Sequence, residues 1–176
     1  MRPIPVPDPL PPPEGLWSRT QPWVSTGLRL LLGGVILYSG AIKLGDLPAS
    51  VRAVRAYELL PEALAKVVGT GLPVVEIILG LLLLAGLLTR YAAAAVALLM
   101  VVFIIGIASA WARGLAIDCG CFGGGGAIEP DQTQYPLEIT RDLALAAAAV
   151  VLAWRPTSRF SLDSTLGLAA PVRAAA

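Results

Sequence analysis

The chain contains no histidine in its 176 residues. That absence excludes imidazole general bases, histidine-ligated haem, Cys-His nucleophile pairs and most zinc sites built within one chain. Charged residues are also scarce at 14%, whereas 56% of the residues are hydrophobic; soluble proteins carry about 25% charged residues. The net charge of +1 does not indicate the basic surface that binds nucleic acid. With a mean hydropathy of +0.75, the composition indicates a membrane protein.

The N-terminal segment lacks an apolar run and is rich in proline. Arg2 is followed by Pro3, Pro5, Pro7, Pro9 and Pro11 to Pro13. A secretory signal peptide would instead place its apolar stretch directly after the basic start. We therefore predict that residues 1–22 form a disordered or polyproline-type tail in the cytosol. Residues 23–155 would then form one membrane domain, and residues 156–176 a polar, loosely ordered tail.

Four apolar segments are long enough to cross a membrane, which takes about 20 residues of helix. They are Trp23–Leu44, Val67–Leu88, Tyr91–Trp111 and Leu137–Trp154. Small residues such as Gly40 and Gly80 allow the close helix packing that membrane bundles require. Between the first two spans, Pro48 opens and Pro61 ends a short amphipathic segment, which we expect to lie in the membrane interface. The sequence thus predicts an all-α fold: a four-helix transmembrane bundle with a short interfacial helix between the first two spans.

This layout places both termini on one side of the membrane and the loop after the third span on the other. Aromatic residues fit the two interfaces: Trp23, Tyr91 and Trp154 on the first side, and Trp111, Tyr57 and Tyr135 on the second. Leaving out Arg2, lysine and arginine divide six to six between the sides, or five to four outside the spans. The positive-inside rule therefore leans slightly toward cytoplasmic termini. We expect a multi-pass protein in the lipids of the inner or plasma membrane, with that loop outside the cytoplasm.

The only two cysteines lie in this loop, in the segment Asp118-Cys119-Gly120-Cys121-Phe122-Gly123. A thiolate is the nucleophile in thiol–disulfide exchange, and a disulfide between such close cysteines would be strained, labile and exchange-prone. Gly120 would relieve crowding in so small a ring, and Gly123 to Gly126 would leave the backbone open to a partner. We interpret Cys119 and Cys121 as redox-active, with Cys121 the more reactive because Asp118 adjoins Cys119. The alternatives are two reduced, inert thiols, or a metal site, which lacks the four ligands of closed zinc sites.

Ionisable side chains within the spans are costly and therefore mark candidate functional sites. Glu76 lies about nine residues into the second span, Lys43 closes the first, and Arg141 and Asp142 lie one turn into the fourth, below Glu138. All of them lean toward the cysteine side, which predicts a polar chamber beneath the loop. Two roles stay open. Lys43 or Arg141 can neutralise the carboxylates in ion pairs, or an unpaired carboxylate can protonate and relay protons.

Several segments resemble a known family. The stretches YSGAIKL, AYELLP and LPVVEIILGLLLLAGLLTR are similar to those of the DoxX-like superfamily of four-helix membrane proteins. The added DCGCFG is similar to its methylamine utilisation branch, the MauE family. The resemblance covers residues 24–154, and the family pattern maps onto Lys43, Tyr57, Glu76, Cys119 and Cys121. It implies a redox-associated membrane protein that acts beside a thioredoxin-like partner in the maturation of methylamine dehydrogenase, a disulfide-rich periplasmic enzyme.

From the residues and the resemblance together, we expect the cysteines to exchange electrons with a thioredoxin-fold protein outside the cytoplasm. As an enzyme, the chain would be a thiol–disulfide or quinone-linked oxidoreductase component. We expect no covalently bound cofactor. A quinone in the polar chamber of Lys43, Tyr57, Glu76, Arg141 and Asp142 rests on analogy with four-helix disulfide-generating proteins, which commonly use two cysteine pairs. The alternatives are a non-enzymatic anchor or assembly factor, and a bundle that binds quinone or lipid without thiol chemistry.

Overall fold

The computed structural model describes residues 16–156, 158 and 160–167 of the protein. Four long helices dominate it: α1 (Leu16–Gly45), α3 (Glu62–Ala85), α4 (Thr89–Ala112) and α5 (Tyr135–Trp154). Two short helices, α2 (Leu47–Ala56) and α6 (Leu162–Thr165), and a two-stranded pairing of β1 (Ile117–Asp118) with β2 (Gly126–Ala127) complete the described elements, besides a 3-10 turn at Pro130–Gln132. The all-α class and the short helix between the first two long helices are confirmed.

Within the described part of the chain, three helical segments have the length and hydropathy of membrane spans: Thr20–Gly45, Glu62–Ala85 and Thr89–Ala112. Their outward faces are apolar, with Leu98 66% and Ile105 62% exposed. Contact with lipid explains why so much apolar surface stays outside the protein core. Helix α5 has 20 residues, which gives a length of about 30 Å. Its first two turns carry three charged residues, Glu138, Arg141 and Asp142, and its role as a fourth span stays a prediction.

Close packing between α1 and α3 depends on glycine, as predicted. A Cβ atom on Gly40 would lie 2.8 Å from the Pro73 carbonyl oxygen and 3.0 Å from the Glu76 Cβ atom. A Cβ atom on Gly80 would likewise lie 2.7 Å from the Leu37 backbone nitrogen. Any larger residue would push the helices apart, so these positions bring the end of α1 that carries Lys43 beside Glu76.

The described ends of the chain meet at one end of the bundle. The Asp163 carboxylate accepts hydrogen bonds from the Leu88 amide at 2.7 Å and the Thr89 amide at 2.9 Å. It thereby satisfies amides at the start of α4 that have no partner within the helix. At the same end, the Ser25 hydroxyl donates to the Arg155 carbonyl at 2.9 Å. The loop between α4 and α5 lies at the opposite end, as the predicted topology requires.

Two predicted tails are more ordered than expected. Helix α1 begins at Leu16, so residues 16–22 are helical rather than disordered. Extending a formed helix by a turn or two costs much less than nucleating a new one. Residues 160–167 are not a loose tail either, because Asp163 fixes α6 against the turn between α3 and α4. The predictions for residues 1–15 and 168–176 lie outside the described residues.

Candidate functional site

The two cysteines lie in a tight hairpin between α4 and α5. Strands β1 and β2 pair antiparallel, with Asp118 opposite Gly126, and the cysteines follow β1 directly. Gly120 has a φ of +67°, a left-handed value that glycine adopts without steric cost. The Asp118 carboxylate accepts a hydrogen bond from the Gly120 amide at 3.0 Å, which closes the turn. Both thiols are free and buried.

The glycines of this hairpin pack against the helices. A Cβ atom on Gly120 would lie 2.6 Å from the Ala53 Cβ atom of α2, and one on Gly125 would collide with the same methyl group. A Cβ atom on Gly123 would collide with Ile42 of α1. The prediction that Gly123 to Gly126 leave the backbone open to a partner is therefore wrong for Gly123 and Gly125, because their missing side chains make room for α1 and α2. A Cβ atom on Gly126 would meet no atom within 4 Å.

Side chains from two other elements hold the carbonyl groups of the two cysteines. The Ser39 hydroxyl on α1 donates to the Cys121 carbonyl at 2.5 Å. The Tyr57 hydroxyl, directly after α2, donates to the Cys119 carbonyl at 3.2 Å. Burial, followed by the nearby thiols, raises the pKa of Tyr57. The phenol therefore keeps the proton that it donates to the loop.

Lys43 and Glu76 form a buried ion pair beneath Cys121. The Lys43 ammonium lies 2.5 Å from Glu76 Oε1 and donates to the Ser39 hydroxyl at 3.1 Å. The two residues are only 4% and 0% exposed. The ammonium also lies 5.3 Å from the centre of the Phe103 ring, a favourable cation–π distance. The predicted pairing of these two charges is therefore present, and Ser39 connects it to the cysteine loop.

The second predicted ion pair, formed by Arg141 and Asp142, contacts Cys119. The Arg141 guanidinium lies 2.9 Å from Asp142 Oδ1, and its Nη2 donates to the Cys119 sulfur at 3.7 Å. The same guanidinium stacks on Phe122, 4.6 Å from the ring centre. Asp142 is 1% exposed. Arg141 therefore contacts both a buried carboxylate and the Cys119 thiol.

The two thiols differ in acidity. A hydrogen bond from the Cys121 thiol lowers the pKa of Cys119, helped by the Cys121 amide at 3.3 Å and by Arg141, and together these outweigh burial. The same thiol–thiol bond and burial raise the pKa of Cys121. Cys119 therefore ionises first, whereas the sequence favoured Cys121. Asp118, which was expected to oppose ionisation of Cys119, accepts a hydrogen bond from the loop backbone. The groups that stabilise the thiolate are the thiol and amide of Cys121 in the same loop and Arg141 of α5.

The two cysteines border different spaces. A cleft of about 480 Å³ opens at the loop, and its polar lining comes from Asp118, Gln132, Gln134, Glu138 and Arg141. Cys119 does not itself line this cleft, but its sulfur lies within 4.8 Å of carboxylate oxygens of Asp118 and Glu138, which do. On the inner side, Cys121 and Asp142 line a cavity of about 10 Å³. Cys119 thus lies behind the residues that line the outer cleft, whereas Cys121 lines the small inner cavity.

The predicted polar chamber is closely packed. Its cavity of about 10 Å³ has room for one water molecule and is far smaller than a quinone ring, so the residues present do not form a quinone pocket in this conformation. A metal site is also incomplete. Among the described residues, Asp118, Cys119 and Glu138 bring one oxygen or sulfur each within 4.8 Å of the others, one fewer than the four ligands of a closed zinc site.

Ser39 and Tyr135 have structural roles that the sequence did not predict. Ser39 lies four residues before Lys43, on the same helix face, and that spacing was the available signal. Tyr135 was expected at the membrane interface, yet it is 4% exposed. Its hydroxyl donates to the Leu115 carbonyl at 2.5 Å and accepts from the Ile117 amide at 3.0 Å, so it anchors the start of the hairpin.

The fold and the site define a helical membrane protein in which buried ion pairs hold a dithiol loop at one end of the bundle. Residues 21–155 match the family described as methylamine utilisation protein MauE. The chain is also 34% identical over 134 residues to the methylamine utilization protein MauE of Paracoccus denitrificans, across 76% of this chain and 70% of that protein. The chain belongs to the MauE family. No solved structure matches it.

Cys119 should react with alkylating reagents at lower pH than Cys121. The two variants to compare are Cys121→Ser, in which serine keeps a hydroxyl donor near Cys119, and Cys119→Ser. In detergent, iodoacetamide modification of Cys119 should show an apparent pKa below the ordinary cysteine value of about 8.5, and that of Cys121 should lie above it. Modification of the denatured variants provides the reference. The opposite order would overturn the assignment of Cys119 as the thiolate.

Lys43→Met should destabilise the bundle by about 3–5 kcal/mol, because it leaves the Glu76 carboxylate buried without a partner. The double variant Lys43→Met/Glu76→Gln should lose much less than the sum of the two single variants. Free energies of unfolding in detergent measure the difference. The matched control is Arg55→Met, which breaks an ion pair with Glu62 whose side chains are 42% and 56% exposed, and which should cost about 1 kcal/mol or less. Additive losses for Lys43 and Glu76 would show that the pair does not act as a unit.

Proposed function

We propose that this protein carries out thiol–disulfide exchange through Cys119 and Cys121 with a thioredoxin-fold protein outside the cytoplasm. The observation that supports this most strongly is the difference between the two thiols. Cys119 has the lowered pKa and contacts Arg141, which lines an open cleft. Cys121 lines the enclosed cavity behind it. A pair that only filled space would not need this division between an attacking and a resolving thiol.

The exchange proceeds in two displacements. The Cys119 thiolate attacks one sulfur of the partner's disulfide, and the partner's other sulfur leaves as a thiolate and takes a proton from solvent. The Cys121 sulfur, once deprotonated, then attacks Cys119. The Cys119–Cys121 disulfide forms, and the partner is released with both of its sulfurs reduced. Two electrons pass from this chain to the partner, and the reverse sequence oxidises the partner.

The cleft beside Cys119 is the approach route for the partner. Its volume of about 480 Å³ lies in the range of sites that take a small ligand or a short peptide segment. The side-chain amides of Gln132 and Gln134 can each donate and accept hydrogen bonds with a peptide backbone. Because α2 covers the opposite side of the hairpin, the cleft offers a partner's sulfur the more direct path to Cys119.

The relative in Paracoccus denitrificans is named for methylamine utilization. By extension, we propose that this chain supports the maturation of a disulfide-containing periplasmic enzyme in a pathway of that kind. It would do so from the inner membrane, with the cysteine loop outside and both termini in the cytoplasm. Disulfides persist in that outer compartment and are disfavoured in the cytosol. In this orientation the dithiol therefore faces the compartment in which partner proteins carry disulfides.

A second candidate function is a membrane anchor or assembly factor in which the cysteines are structural. The observation that favours it is burial, since Cys119 and Cys121 are only 8% and 5% exposed. Such a protein would bind its partner through the same end of the bundle without forming a covalent intermediate. Binding of a quinone or lipid without thiol chemistry would use the bundle surface, because the inner cavity is too small.

Cys121→Ser should accumulate a mixed disulfide between Cys119 and its partner in cells, because the resolving thiol is absent. Cys119→Ser is the matched control and should trap little, since Cys121 faces the enclosed side. Non-reducing electrophoresis followed by mass spectrometry should identify a thioredoxin-fold protein with an active-site cysteine pair. If neither variant traps a protein, and the double serine variant supports partner maturation as well as the wild type, exchange is excluded and the anchor function is favoured.

A further inference from the structure

The small inner cavity that Cys121 lines has only a few polar groups in its lining. It lies between α1, α4, α5 and the cysteine hairpin, and its lining is apolar except for Ser39, Cys121 and Asp142. Its volume of about 10 Å³ is close to the least that holds one water molecule, and a water needs polar partners to stay there. A hydroxyl, a thiol and a carboxylate supply those partners.

Asp142 has one oxygen available for such a water. Its Oδ1 accepts a hydrogen bond from Arg141 at 2.9 Å. Its Oδ2 is buried and has no hydrogen-bond partner among the described residues. Buried polar atoms are nearly always hydrogen-bonded, directly or through water. An unpartnered carboxylate oxygen on a residue that lines the cavity therefore indicates a bound donor.

Cys121 requires a base close to its sulfur. In the dithiol, the hydrogen bond to Cys119 and burial hold the pKa of Cys121 above the ordinary value. In the second displacement Cys119 is part of the mixed disulfide, and burial still opposes the loss of the Cys121 proton. The residue is 5% exposed, so bulk hydroxide reaches it poorly. The proton therefore has to leave through a group inside the protein.

The other ionisable groups near the cavity are engaged elsewhere. Arg141, on the same helix, is bound to Asp142 itself. Lys43 of α1 is paired with Glu76 of α3, and Glu138 lines the outer cleft. The residues that α4 contributes to the cavity lining are not ionisable. Asp142 is therefore the carboxylate that shares a space with the inner thiol.

We propose that Asp142 is the general base for Cys121, accepting its thiol proton through one water molecule in this cavity as the Cys119–Cys121 disulfide closes. The Cys121 thiol gives its proton to the water, and the water passes a proton to Asp142 Oδ2. The Cys121 sulfur attacks Cys119, the new sulfur–sulfur bond forms, and the bond between Cys119 and the partner's sulfur breaks. The partner leaves as a thiolate, and Asp142 returns the proton to Cys121 when the pair is next reduced. This inference rests on the proposed exchange.

The closing step can be timed in purified protein with 2-hydroxyethyl disulfide as a small substitute for the partner. Acid quenching and intact-mass measurement separate the mixed disulfide on Cys119 from the closed form, which has lost two hydrogens. Asp142→Asn should slow closure about 100-fold, the contribution of a general base, and make the rate rise about tenfold per pH unit as hydroxide takes over. Asp131→Asn, which removes an exposed carboxylate at the same end of the bundle, is the matched control and should close at the wild-type rate.

Closure of Asp142→Asn at the wild-type rate, with the wild-type pH dependence, would overturn the role of Asp142 and leave trapping through Cys119 intact. If Asp142→Asn does not fold, the wild type decides the question. With an internal base, its closure rate should change by much less than about tenfold per unit over roughly pH 6–8, and a full tenfold rise per unit would overturn the proposal. A wild-type protein that takes up the reagent on Cys119 but never closes the disulfide would overturn both this inference and the proposed exchange.

Discussion

The buried ion pair between Lys43 and Glu76 is the interaction on which the rest of the site depends. Two charges in an apolar interior are tolerated only when they are paired, because either one alone carries a large desolvation cost. The pair holds α1 and α3 in one register, at the point where Gly40 lets the helix backbones approach. Lys43 also binds Ser39, and Ser39 holds the Cys121 carbonyl. The position of the cysteine loop is therefore set from inside the bundle.

A second pair on α5 makes the two cysteines unequal. Arg141 binds Asp142 on one side and the Cys119 sulfur on the other, so Cys119 gains a cation beside the outer cleft. Cys121 faces inward, toward the same carboxylate. Arg141 thereby adds to the hydrogen bond between the two thiols, which is the largest cause of their different acidity. In the proposed exchange, Cys119 is therefore the attacking thiol and Cys121 the resolving thiol.

The helices and the polar cluster were predictable because both have strong one-dimensional signals. Long apolar runs mark the spans, and charges such as Lys43 and Glu76 stand out there because burying them is costly. The shape of the loop was not predictable in this way. The contact of α2 with the cysteine loop depends on Ala53, which packs against glycines far along the chain. The acidity of Cys119 depends on the positions of Arg141 and the Cys121 thiol. Contacts between distant segments leave no periodicity in the sequence, and the same holds for Asp163, which caps α4.

A redox titration can show whether Cys119 and Cys121 form a reversible redox pair within one chain. Purified protein in detergent would be equilibrated with a series of dithiothreitol or glutathione buffers, acid-quenched and analysed by intact mass, with circular dichroism to confirm that the helices persist. We expect one reversible two-electron transition between the dithiol and the Cys119–Cys121 disulfide. Cysteines that stay reduced across the whole series, or that form only disulfides between chains, would contradict it.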